Sequence, residues 1–147
     1  MISPELLRGY PYFAGISEES LKAIAMMAEE RNIPAGTLLF NEGDRADRLS
    51  VIVKGEVDIQ YLLGNGEYRT VDTLVDGDLL CWSALIEPHK TTAVGTTRKD
   101  TRLASIQADK LRALCESDPL VGYRLVTSVA KLLADRLQGA RVQLAAV

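Results

Sequence analysis

Glycines set the terms for the middle of this chain. Gly36, Gly43, Gly55, the Gly64-Asn65-Gly66 triplet and Gly77 cut residues 31–107 into pieces of strand length. Inside the pieces, apolar residues recur at every second position. Val51 and Val53 alternate with Ser50, Ile52 and Lys54, while Val57, Ile59, Tyr61 and Leu63 alternate with Asp58, Gln60 and Leu62. Gly64-Asn65-Gly66 supplies a turn that tolerates positive φ, so Arg69–Leu74 returns as a hairpin partner. Further strands are predicted at about Thr91–Thr97 and Arg102–Ile106, with Lys99-Asp100 at the turn between them. Many short strands with glycine turns predict an antiparallel barrel or sandwich.

The two ends of the chain read as helical. Ser17 is a natural N-cap, Glu18 and Glu19 suit the positive end of a helix dipole, and Leu21, Ile24, Ala25 and Ala28 fall on one face. Pro11 and Gly15 interrupt the chain before this helix, leaving Glu5–Arg8 as a separate short turn. After the strands, Ala108–Glu116 predicts a short helix, stopped by Ser117-Asp118-Pro119, with Pro119 in the first turn of the next. That last helix runs from Pro119 to about Leu144. It carries one apolar stripe of Leu125, Val129 and Leu132, and a second of Val126, Val129, Leu133, Leu137, Ala140 and Leu144. So wide a face implies either contact on two sides, with a partner copy on the second, or one broad contact wrapped on the barrel.

The expected fold is therefore mainly β with flanking helices. One domain spans residues 1–147: N-terminal helices over 1–30, an antiparallel β-roll (a jelly-roll-like barrel) over 31–107, and C-terminal helices over 108–147. At 147 residues, 47% hydrophobic and 25% charged, the chain has the size and balance of an ordinary globular domain. Seventeen basic against twenty acidic residues, a net charge of −3, disfavours nucleic acid as a direct partner, because phosphate neutralisation supplies most of such affinity. The start lacks a basic-then-apolar signal and no stretch is apolar enough to span a bilayer, so no membrane contact and a cytoplasmic location are expected. Cys81 and Cys115 suit neither a disulfide framework nor a metal site.

The residues at the glycines resemble a known family. Ile33–Asp44 is similar to the opening strand and turn of the cyclic-nucleotide-binding domain, Leu49–Val57 to its second hairpin, and Gly77-Asp78-Leu79-Leu80 to the strand entering its phosphate-binding cassette. The resemblance covers roughly residues 10–144. It implies a cassette over Cys81–Val94, in which a short helix offers backbone N–H groups to a cyclic phosphate, a Glu bonds the ribose and an Arg neutralises the phosphate.

Mapped onto this chain, Trp82, Ser83, Ala84 and Leu85 fall on the short helix, with Trp82 at the Glu position and Cys81 at a usually small one. Lys90 falls at the Arg position, unless a shift of one or two residues brings His89 or Thr92 there, and Thr91 follows it. Lid positions on the last helix fall at Gly139, Ala140 and Arg141, of which only Arg141 can contribute a polar group. Trp82 either stacks on a base or fills the ribose space. Catabolite-activator and FNR-type regulators of this family continue into a helix-turn-helix domain, which is not expected within these residues.

No cofactor is certain from these residues; a cyclic nucleotide is the one the resemblance implies. His89 is the only histidine, so no catalytic triad exists, and no phosphate loop or metal cluster is present; catalysis is not expected. Two functions follow. One is a sensor of a small, anionic ligand, for which cyclic AMP or GMP is disfavoured by the missing Glu. The other is a ligand-free interaction module, its pocket filled by Trp82, that dimerises through Pro119–Leu144.

Overall fold

Eight strands form where the glycines divide the chain: β1 (Ala28–Ile33), β2 (Leu38–Phe40), β3 (Arg48–Lys54), β4 (Val57–Leu62), β5 (Tyr68–Leu74), β6 (Leu79–Leu80), β7 (Val94–Thr97) and β8 (Thr101–Gln107). The computed structural model describes all of residues 1–147. The strands pair antiparallel into two four-stranded sheets, ordered β1-β8-β3-β6 and β2-β7-β4-β5, the two walls of a roll. Helices α1 (Pro4–Arg8), α2 (Glu18–Met26), α3 (Ala108–Ser117) and α4 (Pro119–Ala145) flank it, with 3₁₀ turns at Pro11–Phe13 and Trp82–Ala84. The chain is thus mainly β, a jelly-roll-like β-roll with a long C-terminal helix.

Alternation along β3 does not divide inside from outside. Leu49, Ser50, Val51 and Ile52 are all buried, because both faces of this sheet are covered. Leu49 and Val51 join the core beneath the helices, with Leu7, Phe13, Leu21, Ile24, Ala104, Ile106, Leu111 and Leu125 among its members. Ile52 points the other way, into the lumen, where Val57, Leu74, Leu80 and Leu103 form a separate, smaller core. The buried hydroxyls of Ser50 and Ser105 lie 2.8 Å apart on that lumen face, each satisfying the other, as burial of a polar group demands.

Ser17 caps α2 as expected, accepting a hydrogen bond from the Ser20 amide at 3.2 Å. The helix ends at Met26, one turn short of the expected span, and Ala28 opens β1 instead of extending the apolar face. The reason is long-range pairing: Ala28 stands opposite Ile106 on β8, and the Gln107 amide donates to the Met27 carbonyl. Three helical segments occupy residues 4–26, and the roll begins at 28.

On α4 the first stripe meets the core, with Val121, Leu125 and Val129 buried and Leu132 packed beside them. The second stripe meets the core only at Val129 and Leu133. Val126, Leu137 and Leu144 are exposed, and every residue from Leu137 to Val147 lies on the surface. No helix is long and apolar enough to cross a membrane.

Candidate functional site

The strand entering the cassette ends in a sharp turn. Cys81 takes the left-handed conformation, φ 65° and ψ 50°, and the 3₁₀ turn Trp82–Ala84 follows directly. This turn is pinned from three sides. The Ala84 amide donates to the Cys81 carbonyl at 3.0 Å, and Arg112 of α3 donates to the Ala84 carbonyl at 2.8 Å. The His89 ring places Nδ1 3.1 Å from the Ser83 carbonyl. Ser83 and Ala84 are buried, and Trp82 and Leu85 pack partly buried against the helical core.

Past the turn, residues 89–91 run beside the 43–46 loop. The Thr91 amide donates to the Asp44 carbonyl, the Gly43 amide to the Thr91 carbonyl and the Ala46 amide to the His89 carbonyl, each at 2.8 Å. Thr91 is buried, and its hydroxyl donates to the Asn41 carbonyl at 2.6 Å. Successive side chains along such a segment point to opposite sides. With Thr91 inside, Lys90 points out.

A cavity of about 50 Å³ lies between this cassette, the roll and α4, lined by Phe40, Ile59, Leu74, Leu80, Cys81, Trp82, Ser83, Thr91, Thr92, Ala93 and Arg136. That volume holds little more than a few waters, against about 300–1,000 Å³ for pockets that take organic ligands. Phe40 is one reason it is small. Its ring rests directly on Gly95, so a side chain at 95 would displace it.

Of the residues expected at the site, Trp82, Ser83, Thr91 and Thr92 line the cavity, while Ala84 and Leu85 support it from behind. Three other expected residues stand outside its lining. Lys90 is exposed and outside the cavity, for the alternation just given. His89, at a positive φ of 59°, has its ring against the Ser83 carbonyl. Arg141 is exposed far along α4, five residues beyond Arg136, which is about 7.5 Å further up the axis and on another side of the helix.

Arg136 is the residue that sequence reading missed. It stands seven positions after Val129 and four after Leu132, on the packed stripe, so the same helical spacing could have found it. Its Nη2 donates to the Leu79 carbonyl at 3.3 Å, on the strand that feeds the cassette. Two residues away, the Tyr12 hydroxyl donates to the Gly77 carbonyl at 2.9 Å. Burial, then the neighbouring Asp78, push the Tyr12 pKa up, so it remains a donor. Residues 77–79 are thereby gripped from the N-terminal segment and from α4 together.

Burial pushes the Cys81 thiol up to about 12. At pH 8 only about one molecule in ten thousand carries the thiolate that alkylating reagents need. Iodoacetamide is therefore expected to label Cys115, which is less buried, well before Cys81; peptide mapping that found Cys81 modified first would contradict this placement.

A far larger concavity, about 660 Å³, opens at the opposite end of β3, beside Lys54, Asp76, Asp100 and Arg102. Its carboxylates are already engaged, Asp76 by the Gly55 amide and Asp100 by the Ala35 amide. It holds turns together and shares no residue with the cassette. Nor does any group of three or more His, Cys, Asp or Glu side chains stand ready for a metal ion.

This constellation has counterparts. Residues 30–118 match the family model described as the cyclic nucleotide-binding domain. A candidate cyclic nucleotide-binding protein from Geobacter metallireducens superposes with a TM-score of 0.85 at 35% identity, covering 93% of this chain and 99% of that one. The cyclic AMP receptor protein of Thermus thermophilus is 28% identical over 94% of this chain. The regulatory domain of Toxoplasma gondii PKA, in a co-crystal with cAMP, is similar at a TM-score of 0.68 and 27% identity, covering 76% of this chain and 42% of that one. The chain belongs to the cyclic-nucleotide-binding domain family. It spans 62% of the length of the Thermus receptor and 58% of a CRP-like regulator of Mycobacterium tuberculosis.

Proposed function

We propose that this chain is a regulatory module that converts occupancy of its cassette by a small anionic ligand into a change at α4. The single observation behind this is the Arg136 bridge, which ties α4 to the cassette strand from the wall of the cavity. A ligand entering there competes with Leu79 for the guanidinium, so binding and helix release are one event. Cyclic AMP is what the named relatives suggest, but a standard cyclic nucleotide finds no carboxylate at Trp82 and no inward cation at Lys90. The module acts in the cytoplasm without catalysis or direct nucleic-acid contact, and its exposed α4 stripe of Val126, Leu137 and Leu144 pairs with a second copy.

A second reading rests on the cavity volume. At about 50 Å³, with Trp82 packed against the core, the domain works as a ligand-independent interaction module.

Trp82 is the only tryptophan, so its fluorescence reports this site alone. Titration with cyclic AMP, cyclic GMP and phosphorylated metabolites is expected to shift its emission and to raise amide exchange in residues 130–145. In Arg136→Ala the emission shift needs at least about tenfold more ligand, and at saturation the exchange response is lost. No response to any of these ligands at millimolar concentration would reject the sensor in favour of the ligand-independent module.

A further inference from the structure

A second cavity, about 170 Å³, opens at the mouth of the roll, and Phe40, Leu80 and Cys81 form the wall between it and the cassette cavity. Strand register decides what faces it. Residues directly opposite one another in an antiparallel pair share a face. Arg31 stands opposite Leu103, Leu103 opposite Ile52, and Ser50 opposite both Ser105 and Leu80. Since Ile52, Leu80 and Leu103 form the lumen core, Arg31 also points into the roll. The cavity therefore has an apolar floor and a rim carrying Arg31, Arg45 and Arg48.

The rim charges are not equivalent. Arg45 Nε lies 3.2 Å from Asp47, and Arg48 Nη2 lies 3.0 Å from Glu29. The remaining rim acid, Asp44, accepts a hydrogen bond from the Asn41 amide at 2.8 Å. Arg31 alone has neither an ion pair nor a side-chain hydrogen bond, although guanidinium offers five donors. Burial lowers its pKa and the like charge of Arg48 adds to the effect, with Glu29 opposing it in part. A partly buried cation with no partner of its own, over apolar surface, is stabilised by an incoming anion.

We propose that the mouth of the roll is a second binding site, for a short-chain carboxylate whose head sits on Arg31 and whose tail lies on Phe40, Leu80 and Leu103. The planar fork of Arg31 matches a carboxylate through two parallel hydrogen bonds. One unpaired cation calls for a monoanion, and the apolar floor for a hydrocarbon tail of a few carbons, which inorganic anions lack. This site does not depend on the cassette reading, and either can fail without the other.

The test is titration of the full ¹⁵N-labelled chain with butyrate, acetate and inorganic phosphate, followed by amide chemical shifts. Butyrate is expected to move Arg31, Ser50, Leu103 and Ser105, and to bind about tenfold more tightly than acetate, as two further buried methylenes dictate. Arg31→Gln loses no partner in the fold and sits on edge strand β1, so it remains folded by circular dichroism and weakens butyrate by about tenfold or more. Shifts confined to 82–92, phosphate binding as tightly as butyrate, an unaffected Arg31→Gln, or no binding at all would each overturn the proposal. A failure here with Trp82 still responding to nucleotides would leave the cassette reading intact.

Discussion

Gly55→Ala is expected to destabilise the domain by about 3 kcal/mol, a large part of the roughly 5–15 kcal/mol that holds a fold of this size. Gly55 makes the turn from β3 to β4 at φ 137°, where an L side chain is strained by about 1–2 kcal/mol. A Cβ there would also meet the Thr101 hydroxyl and come within 2.7 Å of the Thr101 Cα. Thr101 has no room to retreat, because it pairs with Ile33 on β1 and its hydroxyl is held by the Lys99 carbonyl at 2.8 Å. Overpacking of this kind adds about 1–3 kcal/mol. Gly36→Ala is the matched control: positive φ again, 78°, but nothing within 4 Å of the added carbon. Urea unfolding followed by Trp82 emission should show Gly55→Ala losing at least twice as much as Gly36→Ala. Equal losses would mean that the contact with Thr101 carries no weight.

Trp82→Glu is expected to raise affinity for cyclic AMP by one to two orders of magnitude. The substitution returns a charged acceptor to the position where the family bonds the ribose hydroxyl, an interaction of about 1.5–3 kcal/mol. It also removes the indole that narrows the cavity, and Arg136 lines the same space to steady the new carboxylate. Trp82→Ala separates the two effects, since it enlarges the cavity without supplying an acceptor. Calorimetric titration of both variants, with 2′-deoxy cyclic AMP as the second ligand, isolates the hydrogen bond. The gain should belong to Trp82→Glu with cyclic AMP and vanish with the deoxy ligand. If neither variant gains affinity, the cassette has lost more of its nucleotide geometry than one side chain.

The roll was legible in the sequence because its signals are local. Turn glycines at 43, 55 and 77 adopt the positive φ values their positions called for, and Ser17 caps α2 through its own third neighbour. The end of α2 was not legible, since Ala28 belongs to β1 through pairing with Ile106, seventy-eight residues away in sequence and invisible to helical periodicity. The site shows the same split. Trp82, Ser83, Thr91 and Thr92 follow from position in the cassette. Which side of the chain Lys90 occupies depends on backbone bonds from Thr91 and His89 to the 43–46 loop, and no spacing rule contains those. Arg136 was within reach by helical arithmetic from Val129, but a lid was sought one turn and more beyond it.

β3 carries a consequence for how such a domain can change over time. Its odd-numbered residues, Leu49 and Val51, hold the helices, while Ser50 and Ile52 furnish the interior of the roll. One thin layer of backbone therefore separates the surface that can meet a ligand from the surface that seats the reporting helices. Substitutions on the inner side can retune what the roll accepts, and those on the outer side can retune how firmly the helices are held, with little crosstalk between them. Insertion of a single residue would exchange the two sets and forfeit both at once. The strand thus tolerates drift in chemistry but not in length.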